Sequence, residues 1–154
     1  MTFRGPYYTA LALVALAATS LGNGPCAMFP GGQLDGPAAT PPDGWEMLGE
    51  GTQCDLEVNP ESPTSVHIDC YTYEGQLYVH SHRYARMKRW WGEAWVTAAE
   101  RDPEVRLRAL GEIFELRADP VTDPTLRERV LVSRGFDPVP EGIQLFALNP
   151  RTAN

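Results

Sequence analysis

The sequence predicts a mainly β domain, a small antiparallel barrel with two or three helices, standing behind an N-terminal signal segment. Three observations carry this expectation. Short runs rich in Val, Ile, Thr, Tyr and Leu recur between turn-forming residues, which is the pattern of antiparallel strands rather than of alternating strand–helix units. The dipeptides Glu74-Gly75 and Gly111-Glu112 sit between such runs at hairpin spacing. Helical patterning is confined to the stretches around Met87–Ala98 and Thr125–Ser133. At 154 residues the chain supports one domain with a modest core, and its formal net charge of −7 argues against nucleic acid as a partner.

The N-terminus reads as a targeting segment. Arg4 is followed by Tyr7–Leu21, an apolar run with no acid or base, shorter than the roughly 20 residues a membrane-spanning helix needs. Residues 1–24 are therefore expected to be a signal peptide, cut near Gly22 after Ser20-Leu21, with an uncleaved membrane anchor as the alternative. This predicts an exported protein of the periplasm or cell envelope. Cys26 stands where a lipoprotein cysteine would, although Asn23-Gly24-Pro25 is a poor signal for lipidation. Membrane attachment is expected only through this N-terminal segment or a lipid on Cys26. Residues 25–44, rich in Gly, Pro and Ala, predict an extended tether or surface strap, and residues 45–154 the barrel domain.

The elements follow in order. Thr52–Val58 and Ser65–Tyr73 read as strands on either side of the turn segment Asn59–Thr64. Pairing Val58 with Val66 sets Cys54 opposite Cys70, and in an exported protein two such cysteines form a disulfide; two buried thiols are the alternative. Glu74-Gly75 turns the chain into Gln76–His82, a register that places Asp69 opposite His80 and His67 opposite His82 on one face of the sheet. Three imidazoles and a carboxylate suit Zn²⁺ or a similar ion, while a hydrogen-bonded polar face is the plainer reading.

Met87, Trp91, Ala94, Trp95 and Ala98 form a helical stripe destined for the core, ended by Asp102-Pro103. Val105, Leu107 and Ala109 then alternate with Arg106 and Arg108. A turn at Gly111-Glu112 leads into Ile113–Ala118, so that Arg108 opposes Glu115 and Arg106 opposes Arg117, the latter a like-charge conflict. Asp123-Pro124 has the form of a helix cap with proline in the first turn, opening Thr125–Ser133. A final strand is expected over Gly142–Leu148.

Cations are distributed unevenly. Gly5–His82 contains no Lys or Arg, and then Arg83, Arg86, Lys88 and Arg89 arrive together at the start of a helical segment, where the helix dipole disfavours positive charge. They read either as a solubilising helix start or as a site for an anion.

The run Gly75-Gln76-Leu77-Tyr78-Val79-His80-Ser81, the basic loop and helix, Arg101-Asp102-Pro103-Glu104-Val105-Arg106-Leu107 and the hairpin ending at Asp119 resemble the FMN-binding split barrels related to pyridoxamine 5′-phosphate oxidase. With Pro30–Gly36 and Trp45, the pattern is similar to an exported branch of that family without a settled function. The resemblance implies a split barrel, a homodimer with FMN at its interface, and a phosphate held by Ser81 with Arg83 or Lys88. At the position where many relatives carry a phosphate-binding Arg, this chain has His67, next but one to Asp69, which would repel an anion.

The function expected is therefore that of an exported flavin-binding protein or flavin-dependent oxidoreductase of unknown substrate, and no residue stands out as a catalytic acid, base or nucleophile. The alternatives are a cofactor-free envelope protein that binds another small molecule or a partner, and a metal-binding protein using His67, Asp69, His80 and His82.

Overall fold

The computed structural model describes residues 25, 29–49, 51–82, 86 and 93–151. The signal segment, Cys26, Arg83, Met87, Lys88, Arg89 and Trp91 lie outside them. The strands are β1 (Ala38–Ala39), β2 (Thr52–Val58), β3 (Thr64–Tyr73), β4 (Gln76–His80), β5 (Glu104–Ala109), β6 (Glu112–Pro120) and β7 (Leu145–Pro150). The helices among the described residues are α1 (Trp95–Arg101) and α2 (Pro124–Ser133), with a 3-10 turn at Glu46–Leu48. Strands β6-β5-β2-β3-β4-β7 hydrogen-bond in that order, and β7 returns to β6, closing a six-stranded antiparallel barrel. The chain is thus mainly β, as its pattern of short runs and turns predicts.

Closure is incomplete along β6. Strand β7 pairs only with Leu116–Pro120, leaving one edge of the first half of β6 without a barrel partner. Backbone N–H and C=O groups at such an edge need partners. Strand β1 supplies them in parallel, with Ala38 beside Ile113 and Ala39 beside Phe114, and the Ile113 N–H donates to Pro37 O at 2.8 Å.

Upstream of β1 the same segment runs as a strap over the outer face. Gly31 bridges to Ser65, and Leu34 is 2 % exposed. The strap is clamped by charged side chains of the sheet. The Leu34 N–H donates to the Glu57 carboxylate, and Arg106 donates both to Leu34 O at 3.2 Å and to Glu57 at 3.0 Å. The arginines that alternate with apolar residues on β5 therefore have specific partners: Arg106 serves Glu57, and Arg108 donates to Asp55 at 2.6 Å.

Alternation builds the interior. On β5, Val105, Leu107 and Ala109 point into the barrel with Leu56, Leu77, Val79, Leu116, Phe146 and Leu148 from the other strands. Trp45 packs at the β3–β4 turn, where its N–H donates to Gly75 O and its ring meets Phe114 edge-on at 5.0 Å. A second apolar cluster lies outside the barrel, where Val130 and Leu131 of α2 cover Tyr71, Tyr78 and Leu145. The Asp123 carboxylate caps α2 by accepting from the Thr125 N–H at 2.9 Å. Helix α1 ends at Asp102, before Pro103, as expected, and carries Trp95 and Ala98 of the predicted stripe, whose Met87 and Trp91 lie outside the described residues. Ala94 is extended (φ −65°, ψ 136°), so α1 itself starts at Trp95.

Two registers differ from expectation by two residues. In β2–β3, Val58 pairs with Thr64, placing Cys54 opposite Ile68 and Cys70 opposite Thr52. Asn59 adopts φ 59° and bonds Ser62 O through its side-chain amide, a turn tight enough to bring Thr64 into the ladder. Cys54 and Cys70 are thus diagonal neighbours inside the barrel, with Cα atoms 6.0 Å apart and sulfur atoms in bonding contact.

In β5–β6 the turn is Leu110-Gly111, with φ 53° and 83°, rather than Gly111-Glu112. Positive φ at both central positions matches the twist of a two-residue hairpin. The shift sets Arg106 opposite Glu115 and Glu104 opposite Arg117, so the predicted Arg106–Arg117 conflict disappears. The β3–β4 register is the expected one: Tyr73 pairs with Gln76 around Glu74-Gly75.

Candidate functional site

Strand β4 ends at His80, and the chain continues through Ser81 and His82 into the basic segment. Ser81 fixes this exit. It is 2 % exposed, its N–H donates to Gln144 O at 2.8 Å, and its Oγ accepts from the Gln144 N–H at 2.8 Å. Both bonds tie the end of β4 to the residues entering β7. Between the two lies a cleft of about 240 Å³ lined by His80, Ser81, His82, Phe136, Pro140 and Ile143. One wall is the end of β4; the other is the connection from α2 to β7.

His80 is the polar centre of this cleft. Its ring lies 5.6 Å from that of Tyr71 and 5.0 Å from that of Phe136, the latter edge-on. Its Nδ1 is buried and has no hydrogen-bond partner among the described residues. Burial pushes the imidazole pKa below its ordinary 6.5; Asp69 opposes this, and Arg134 and His82 reinforce it. The ring is accordingly neutral at pH 7.

Behind His80, the Tyr71 hydroxyl is likewise buried without a partner among the described residues, and burial raises its pKa far above the usual phenol range. The Arg134 guanidinium lies 5.5 Å from the centre of the Tyr71 ring and 3.9 Å from Asp69. None of the six lining residues is Lys, Arg, Asp or Glu, so the cleft itself is apolar apart from its imidazoles and one hydroxyl.

The predicted site residues divide sharply. His80, Ser81 and His82 come together. His67 does not join them, because its Nδ1 meets Asp55 at 2.6 Å and its Nε2 meets Gln53 at 2.7 Å, both across the ladder on β2. Asp69 leans to Arg134 instead. The expected metal set of His67, Asp69, His80 and His82 therefore does not assemble, and among the described residues no group of three or more His, Cys, Asp or Glu side chains could hold an ion. The register that suggested it is correct, but the β3–β4 ladder stops at Cys70–Val79, and the neighbouring strand captures His67 before it can turn toward β4.

Arg83 and Lys88, the expected phosphate cations, lie outside the described residues. Arg86 is engaged within the fold. Its guanidinium grips both Glu100 carboxylate oxygens, one at 3.0 Å, and Gln144 Nε2 donates to the same carboxylate at 2.9 Å. The Arg86 hydrogen bond holds the Glu100 carboxyl below its usual range. Arg86 is thus held at α1. Phe136 and Pro140 carried no signal in the sequence, and Ile143 read only as part of the expected strand Gly142–Leu148, whereas β7 begins at Leu145; the pairing of β7 with β4 brings all three to the site.

The molecule is thus a six-stranded antiparallel barrel with a lateral cleft at one strand end. No family model matches the chain, and no curated protein matches it. Among solved structures, it is similar to a protein of unknown function from Agrobacterium tumefaciens, with a TM-score of 0.49 and 13% identity over 68% of this chain and 50% of that one. A second solved chain gives a TM-score of 0.44 and 21% identity, covering 64% of this chain and 72% of that one. The chain therefore spans half the length of the Agrobacterium protein.

Proposed function

We propose that this is an exported split-barrel protein that binds a small molecule in the cleft of His80, Ser81 and His82, with FMN as the first ligand to test. One observation carries the reading: a cleft at the end of β4 that sets the rings of His80 and His82 and the hydroxyl of Ser81 against the apolar side chains of Phe136, Pro140 and Ile143. A few polar groups in a mostly apolar concavity are the usual make-up of a small-molecule site.

FMN is nominated by the resemblance of Gly75–Ser81 and of the Arg101–Leu107 segment to flavin-binding split barrels. Ser81 suits its phosphate end, because Oγ accepts from Gln144 and still has its own proton to donate. Arg83 follows two residues later, and Lys88 is the other candidate cation. The three-ring end fits less well: about 240 Å³ falls below the roughly 300–1,000 Å³ of typical ligand pockets. In the homodimer implied by the resemblance, a second copy would complete the enclosure. A bound flavin would supply hydride chemistry, the protein contributing binding and orientation. The test is the absorbance spectrum of untagged protein, followed by fluorescence titration with FMN. Uptake with quenching is expected; a colourless protein that leaves FMN fluorescence unchanged overturns the flavin assignment.

The locked state of His67 favours a second reading, a cofactor-free envelope protein. Where relatives present an Arg to phosphate, both ring nitrogens here are spent on Asp55 and Gln53. A stable protein with no flavin uptake that still binds smaller molecules in the cleft would identify this case.

A further inference from the structure

We propose that the strap over the outer face, residues 29–39, is exchanged between two copies of this chain, each barrel seating its partner's strap in place of its own. The inference is independent of the cleft and of any ligand bound there.

The seat holds the strap by its main chain. Gly31 exchanges both backbone bonds with Ser65, at 2.8 and 2.9 Å, and the Ser65 hydroxyl donates to Gly32 O at 2.8 Å. The Glu57 carboxylate accepts from the Leu34 N–H, Arg106 donates to Leu34 O, and Arg108 donates to Asp35 O at 3.4 Å. The Ile113 N–H donates to Pro37 O. Of residues 31–38, Leu34 alone is buried. Main-chain bonds with one apolar anchor are how an extended segment adds to a sheet, whichever chain it belongs to.

The seat also stands without the strap. Arg106 is held by Glu57 at 3.0 Å and Arg108 by Asp55 at 2.6 Å, both pairs lying on barrel strands. When the strap leaves, these charges keep each other as partners, so no buried ion is stranded.

The strap is less firmly committed. Its ladder with β6 is two residues long, and Gly31, Gly32 and Gly36 raise the entropy cost of ordering it. The connection Thr40–Gly44 joins Ala39, which pairs with Phe114, to Trp45, whose ring also meets Phe114. The ends of this connection lie close together, yet its six peptide steps span about 20 Å when extended. That reserve lets the strap swing outward to an adjacent barrel.

A second copy is the occupant that loses nothing. It offers an identical strap and an identical seat, so reciprocal exchange conserves every contact above and closes a twofold pair with neither seat empty. Folding back onto its own barrel competes at an effective concentration in the millimolar range, so the exchanged pair should grow as protein concentration approaches that range.

The experiment mixes two full-chain populations, both carrying Cys26→Ser; Cys54 and Cys70 are spent on one another. One population is ¹⁵N-labelled. The other is unlabelled and bears a nitroxide at Gln33→Cys, an exposed strap position. Amides of Glu57, Ser65 and Ile113 in the labelled copy are expected to broaden, increasingly with concentration. Leu34→Ala in the labelled copy loosens its own strap and should strengthen the effect severalfold. The same change in the nitroxide copy should weaken it about tenfold, because the anchor leucine is lost. A fluorescent peptide of residues 29–39 is titrated into the Leu34→Ala chain in parallel and should bind it.

No broadening in any mixture, or broadening on a face away from Ser65 and Ile113, overturns the proposal. Broadening that Leu34→Ala in the nitroxide copy leaves unchanged overturns the strap as donor. Peptide binding without broadening also overturns it, leaving the seat to an extended segment other than a second copy's.

Discussion

His80 combines an aromatic packing role with a titratable group whose buried nitrogen has no partner among the described residues, and its acid response follows from that combination. The folded-state pKa lies below the ordinary 6.5, so its contribution to stability is complete above about pH 6.5 and is lost as pH falls toward the folded value, where the unfolded chain binds the proton more readily. Asp69, Arg134, Tyr71 and His82 face the ring, and Asp69 alone among them draws its pKa upward. Urea unfolding of the wild type should therefore lose more stability between pH 7.5 and pH 5 than unfolding of His80→Phe, which keeps the ring contacts and cannot titrate. Equal losses in the two proteins would refute this account of His80.

Glu57 gives a second prediction at this scale. Its carboxylate is 4 % exposed and is shared by Leu34 and Arg106, so Glu57→Ala strands a guanidinium and a strap N–H together. A cost of about 3 kcal/mol is expected from denaturant unfolding, with increased proteolysis within residues 29–39. The sequence showed an acid on a strand, but only the three-dimensional path of the strap shows what it holds.

Among the elements, the hairpins show where local sequence determines structure and where it does not. Glu74-Gly75 could be read directly, because the glycine sits second in the turn and the flanking runs pair without conflict. The β5–β6 hairpin needed the same rule, with Gly111 again second, and its charge pairs point to the same register: only the Leu110-Gly111 turn sets Arg106 against Glu115. The β2–β3 register was harder, because a left-handed Asn59 shortens the turn in a way that composition does not show. Leu110 remains an unusual choice, since it is 66 % exposed with φ 53°, a conformation costing a non-glycine residue about 1 kcal/mol. Leu110→Asn creates the Asn-Gly pair favoured in such turns and should raise stability by about 0.5–1 kcal/mol. A lowered unfolding midpoint would contradict the turn assignment.

For the whole molecule, the barrel was legible because six strands with regular alternation leave few ways to bury one face of each. The site was legible only along β4, where His80, Ser81 and His82 are consecutive. Its opposite wall comes from residues more than fifty positions away, brought to β4 by the pairing of β4 with β7. The metal set failed for the complementary reason, since correct pairing of β3 with β4 does not exclude competition from β2. The central claim, that the end of β4 is a ligand site, is tested most directly by chemical-shift mapping of ¹⁵N-labelled protein during parallel titrations with FMN and a smaller probe, benzamide. The account predicts saturable shifts concentrated at His80–His82, Phe136, Ile143 and Gln144 with at least one of them. Shifts confined to another face of the barrel, or none with either ligand, would contradict it.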